Sequence, residues 1–162
     1  MNEVLKLGLI LFIITAVSAS VLAVSNDITA PRIEEADRKA NDLAKQEVLE
    51  DAQDFNMLDE GRLKEVIGSN TNIVEINEGY NKEEQLVGYT FKTKVKGYGG
   101  EIELIAGVST EGKVTGISIL NHGETPGLGA NATETYFTDS FKDKSVDNQL
   151  AAVKDPTGDN EV

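Results

Sequence analysis

One segment of this 162-residue chain has the residue types of a ligand loop: residues 121–129, Asn-His-Gly-Glu-Thr-Pro-Gly-Leu-Gly. Gly127 and Gly129 permit positive φ and close approach of another group to the backbone. Pro126 fixes its own φ and holds Thr125 extended. Glu124 and Thr125 offer side-chain hydrogen bonds, and the glycines offer bare N–H groups. A rigid loop of this kind can grip a planar ring by its polar edge, and it can equally be a structural turn. It has neither the G-x-x-x-x-G-K-S/T spacing of a phosphate loop nor the G-x-G-x-x-G of a dinucleotide fold. His122, the one histidine, could move a proton near neutral pH or hydrogen-bond within the loop.

The rest of the inventory narrows the chemistry. Cysteine is absent, which excludes disulfides, thiol catalysis and cysteine-held zinc or iron–sulfur centres. A single histidine rules out a multi-histidine metal site. No catalytic residue and no metal site is expected, so redox work by this chain requires a borrowed organic cofactor. With 28 acidic against 15 basic residues and a net charge of −13, nucleic acid is not an expected partner.

The elements that must position the loop follow from periodicity. Residues 7–24 carry no charge, and at 1.5 Å per residue they span about 27 Å, close to a bilayer's hydrocarbon thickness. The length favours an uncleaved membrane anchor. Val17-Ser-Ala-Ser20 leaves open a cleaved signal peptide and a secreted product. Lys6 on the short side and the acidic remainder on the other favour a cytoplasmic N-terminus, with the acidic part outside. Residues 25–30 read as a polar link with Asp27 and Thr29 as candidate caps, and Pro31 as the opening of a stalk helix. Its stripe is Ile33, Ala36, Ala40, Leu43, Ala44, Val48, Ala52 and Phe55, and its acidic face is expected to be solvated. Residues 61–70 give a mixed pattern. Period-two alternation then predicts strands over 73–80, 86–95, 101–108 and 113–120, joined by short turns, hence an antiparallel sheet. A short helix is expected over 132–141 and a turn at 155–158. The fold class is α+β: an anchor (1–24), a linker and stalk helix (25–60), and a sheet domain with short flanking helices (61–162).

At this point the sequence resembles a known family. His122-Gly-Glu-Thr-Pro-Gly-Leu-Gly129 matches the H-x-E-T-P-G-L-G motif of the FMN-binding domain family. That family includes the G subunit of the Rnf complex and the C subunit of the sodium-pumping NADH:quinone oxidoreductase. Gly97-Tyr-Gly-Gly100 with Glu101-Ile resembles the family's G-Y-x-G-x-I segment, and Val114–Leu120 resembles the strand before the loop. Phe137 and Phe141-Lys-Asp-Lys144 are similar to its W/F-x-x-x-F-x-G-K segment, with Asp143 where glycine is common. The anchor followed by Thr29-Ala-Pro-Arg-Ile33 and a helix fits the Rnf pattern, and the shorter stalk favours it over the sodium-pump relative.

The resemblance implies an electron-carrying flavin subunit of a membrane-bound ferredoxin:NAD oxidoreductase that moves Na⁺ or H⁺, with no turnover alone. It implies FMN joined through its phosphate to a threonine of a Ser-Gly-Ala-Thr motif. No such motif occurs in residues 1–162, so the attachment residue is expected beyond Val162. Without it, the alternative is a membrane-anchored binding or interaction module that carries no covalent flavin. Implied cofactor-binding residues are Tyr98, Gly99, His122, Glu124, Thr125, Pro126, Gly127, Leu128 and Gly129. Implied partners are the other Rnf subunits, especially the integral-membrane flavin and iron–sulfur subunits, the membrane itself, and a flavin transferase for maturation.

Overall fold

The structure is a computed structural model, and it describes every residue except Met1, Ser69, Asp155, Thr157 and Asn160. The turn expected at 155–158 therefore lies partly outside the described residues. Two units make up the chain, residues 1–39 and 40–162.

The first unit is helical. Helix α1 runs Glu3–Val48 without a break, so residues 25–30 are helical and Pro31 lies inside the helix, not at its start. Pro31 brings no N–H, and the Asp27 carbonyl forgoes its intrahelical partner. Hydroxyls in and after the apolar run bond back onto their own helix: Thr15 Oγ to the Leu11 carbonyl at 3.0 Å, Ser20 Oγ to Ala16 at 2.8 Å and Thr29 Oγ to Ser25 at 2.9 Å. These hydroxyls thus have partners on their own helix. By length and composition this helix can cross a membrane.

The second unit is built on one sheet. Its strands are β1 (Asp54–Met57), β2 (Ile73–Tyr80), β3 (Leu86–Lys96), β4 (Glu101–Ser109) and β5 (Val114–His122). They lie in sequence order and every neighbouring pair is antiparallel. The alternation of the sequence thus places β2 to β5 correctly. Strand β1 falls where the stalk helix was expected to continue. Where the helix stops, Gln46 Nε2 donates to the Ala52 carbonyl at 2.7 Å across the exit turn, and Gln53 N–H then reaches the Tyr80 carbonyl to start the sheet. The mixed segment after it contains helix α2 (Glu60–Ile67), capped by Asp59, whose carboxylate accepts the N–H groups of Gly61 and Arg62.

The core forms where the last turns of α1 and its exit meet one face of the sheet. Ala44, Val48, Leu49, Ala52 and Ile105 are buried there. Of the predicted stripe, Ala44, Val48 and Ala52 are buried, while Ile33 and Leu43 are exposed. The approach is close at Gly107: a Cβ there would overlap the Val48 carbonyl oxygen and Thr115 Oγ, which are hydrogen-bonded to each other.

Polar groups share this face. Lys45 is buried, with Nζ 3.0 Å from Glu75 Oε1. Asn77 Nδ2 donates to the same Glu75 oxygen at 2.9 Å and lies 3.3 Å from Thr90 Oγ. Burial pushes the Glu75 carboxyl up. The hydrogen bonds from Asn77 and Lys45, with the charges of Lys45 and Lys92, outweigh it and hold the group below the usual carboxylate range. The acidic face of the helix is not wholly solvated either, since Glu47 accepts a bond from Ser118 of β5 at 3.0 Å.

Candidate functional site

The end of the sheet where β3 turns into β4 and β5 leaves for its loop gathers the residues singled out by the sequence. Register sets this up: Val95 pairs with Ile102, and Ile102 with His122. The β3–β4 turn and the β5 exit therefore stand side by side. His122 is the last residue of β5, so the strand ends two residues later than its alternation indicated and the loop proper begins at Gly123.

The β3–β4 turn is closed by the Gly97 N–H to the Gly100 carbonyl at 2.7 Å. Gly99 N–H donates to Glu124 Oε1 at 3.0 Å, which ties turn to loop. Glu124 N–H donates in turn to His122 Nδ1 at 3.2 Å. With Nδ1 accepting, the ring proton is assigned to Nε2. His122 thus acts inside the loop as a hydrogen-bond acceptor.

Thr125 to Leu128 is a turn in which the Leu128 N–H meets the Thr125 carbonyl at 3.1 Å. Pro126 and Gly127 (φ 74°) occupy its central positions, the signature of a type II turn. The Ala130 N–H also reaches the Thr125 carbonyl, at 3.3 Å, and leads into a 3₁₀ turn at Gly129–Thr133.

Two apolar side chains project at this end, Tyr98 at 99 % exposure and Leu128 at 72 %. Tyr98 is therefore no core residue. A Cβ on Gly127 would meet nothing within 4 Å, so the outer side of the turn is open. Gly97, Gly99 and Gly129 lie against the Glu124 carboxylate, His122 accepts the Glu124 N–H, and Tyr98 stands exposed in the same turn as Gly99. Thr125, Pro126, Gly127 and Leu128 form the exposed rim. An open backbone turn with an exposed apolar side chain at Leu128 has the chemistry to meet a flat ring with a polar edge.

A second feature escaped the sequence reading. A polar cleft of about 300 Å³ lies beside β5 and is lined by Glu47, Ser118, Thr133, Thr135, Thr138 and Lys142 among others. Its signal was the run of threonines over 133–138. The helix expected over 132–141 is three pieces: the 3₁₀ turn just named, helix α3 (Thr135–Thr138) and a second 3₁₀ turn at Asp139–Phe141. Phe137 and Phe141 pack edge to face at 5.3 Å. Asp143 follows at φ 62°, in the left-handed region, which explains why glycine suits that position in the family pattern and why Asp tolerates it.

Comparison with known proteins identifies the family. The model of the FMN-binding domain matches residues 97–161, beginning at the first glycine of the β3–β4 turn and including the whole loop. The G subunit of the Na⁺-translocating ferredoxin:NAD⁺ oxidoreductase complex of Acetobacterium woodii is 42 % identical over 167 residues, covering 98 % of this chain and 80 % of the relative. The chain belongs to the G-subunit family of ion-translocating oxidoreductase complexes. Two further relatives carry the same kind of name. The G subunit of the Methanosarcina acetivorans ion-translocating oxidoreductase complex is 30 % identical over 90 % of this chain and 76 % of its own length. The G subunit of the proton-translocating ferredoxin:NAD⁺ oxidoreductase complex of Clostridium ljungdahlii is 49 % identical over 74 residues, 46 % of this chain and 40 % of the relative. The matched domain is one for FMN, and FMN is an organic cofactor of the kind that a chain without cysteine needs for redox work.

Proposed function

We propose that this chain is the flavin-carrying subunit of a membrane-bound ferredoxin:NAD⁺ oxidoreductase that couples electron transfer to ion movement. The observation that carries the reading is the FMN-binding match over the turn and loop that the structure brings together. FMN, when bound, supplies one-electron acceptance and donation, and the chain's residues bind and orient it. Thr125 Oγ and the backbone N–H groups of Gly127 and Gly129 would hold the polar edge, since the Leu128 N–H closes the turn. Leu128 and Tyr98 would cover the ring faces. Relatives are named for Na⁺ in one case and for protons in another, so this subunit type serves complexes of either kind.

The charge-free part of α1 would anchor the chain with its N-terminus in the cytoplasm, Lys6 on that side, and the acidic unit outside. The partners would be the integral-membrane flavin and iron–sulfur subunits, and a flavin transferase would load the cofactor.

The test is titration of the full chain in detergent micelles with FMN, followed by flavin fluorescence. Saturable quenching, weakened about tenfold by Leu128→Ala and by Thr125→Ala, is the expected result. No quenching, or quenching indifferent to both substitutions, refutes the assignment of this loop.

A further inference from the structure

Glu124 occupies the centre of the site without facing outward. Its Oε1 accepts the Gly99 N–H at 3.0 Å. Its Oε2 faces Gly129, where a Cβ would lie only 2.7 Å away, with the Cβ and Cγ of Glu124 at 3.0 and 3.1 Å. On the turn, a Cβ at Gly97 would overlap Oε1 itself. The backbone before Glu124 is equally tight, since a Cβ at Gly123 would lie 2.9 Å from the Gly99 carbonyl oxygen. The glycines of both segments therefore make room for this one carboxylate and its backbone, while Gly127 alone among the loop's motif glycines opens outward.

From this packing we propose that Glu124 is a positioning residue: its carboxylate clasps the β3–β4 turn to the β5 loop and so fixes the Thr125–Leu128 turn relative to Tyr98. Its role is to hold the two segments together, not to meet the flavin. Oε1 accepts the Gly99 N–H, Oε2 is packed against Gly129, and the backbone N–H of Glu124 donates to His122 Nδ1. The proposal rests on the flavin reading for what the positioned turn holds, but the clasp itself can be read without flavin.

Glu124 and Gly99 are 25 residues apart, so the clasp joins segments that only the sheet brings together. A charge-assisted bond between partly exposed groups protects its amide by about tenfold. The methyl of Gly129→Ala, added to a residue that needs no positive φ, would push Oε2 and pull Oε1 off the Gly99 amide.

The test uses the full chain in micelles, with amide exchange read at Gly99 and with FMN titrated separately. Glu124→Ala is expected to speed Gly99 exchange about tenfold, and Gly129→Ala to do the same from the far end of the loop. The double variant should exchange no faster than Glu124→Ala alone, because the methyl at 129 then has no carboxylate to displace. Glu124→Gln keeps an oxygen of the same reach and should stay within about threefold of the wild type. The Ile105 amide serves as control for the fold. FMN affinity should fall about tenfold with Glu124→Ala and Gly129→Ala and survive Glu124→Gln. Unchanged Gly99 exchange in Glu124→Ala, additive effects in the double variant, or a freed Gly99 with unaltered FMN affinity would each overturn the proposal. If the wild type takes up no FMN, it is the flavin reading that fails, and the Gly99 amide alone then judges the clasp.

Discussion

Replacing Lys45 by methionine removes a charge while keeping most of the side chain's volume, and the structure says what remains. The Lys45 and Glu75 side chains are 11 % and 19 % exposed, and their charged atoms are 3.0 Å apart. Breaking a fully buried pair by deleting one partner costs about 3–5 kcal/mol, because the other charge is stranded. Glu75 would be less stranded than that. It keeps the Asn77 bond at 2.9 Å, the field of Lys92 and some solvent. The expected cost is therefore about 2 kcal/mol at pH 7, a drop of roughly 8 °C in melting temperature for a unit of this size.

The pH dependence has a definite sign. The Glu75 carboxyl lies below its ordinary value when folded. Its contribution is thus present above the unfolded-chain value of about 4.3 and is lost as pH falls through the folded value. Lys45→Met should accordingly lose most of its penalty in acid, where Glu75 is neutral in both proteins. Adding Glu75→Gln to Lys45→Met should recover much of the loss at pH 7, since no bare charge is left. The assay is near-ultraviolet circular dichroism melting of the full chain in micelles. A variant within about 0.5 kcal/mol of wild type at pH 7, or one equally destabilised at pH 7 and in acid below the folded Glu75 value, would refute the argument.

Two further substitutions probe the fold and the rim of the site. Gly107→Ala should destabilise the sheet unit by about 3 kcal/mol by displacing the Val48 carbonyl and the Thr115 hydroxyl, and urea titration of the full chain measures it; a neutral result would mean the helix end is not seated as described. Tyr98→Ala should leave the melting temperature unchanged, because the side chain is wholly exposed, yet weaken FMN binding about fivefold in the fluorescence titration; loss of stability would contradict that exposure.

What the sequence conveyed was whatever repeats locally. Strands β2 to β5 announce themselves by alternation, and their short turns imply the antiparallel meander. Strand β1 does not, because Phe55 fits the three- and four-residue steps of the preceding helix as well as it fits a four-residue strand. Helix α2 carries its cap at Asp59 and its stop at Gly68, but none of its residues is fully buried, so its apolar pattern is faint. Lys45 looked like one more surface charge; its burial depends on Glu75, thirty positions later and brought near only by β2. The site divides the same way. The loop motif is contiguous and could be seen at once, and the projecting Tyr98 sits in an obvious turn. The bond from Gly99 to Glu124 belongs to strand register, which a linear pattern does not express.

The order of the strands has a consequence for how the protein is made. Each strand pairs with the one just synthesised, so the sheet can grow by simple addition as the chain emerges, with no early strand waiting for a distant partner. Helix α1 leaves the ribosome first and β5 last among the strands. The cradle at the end of the sheet needs both the β3–β4 turn and the exit from β5, and therefore exists only once the final strand is zipped. On the proposed reading of this end as the flavin site, folding of the sheet must therefore precede loading of the cofactor.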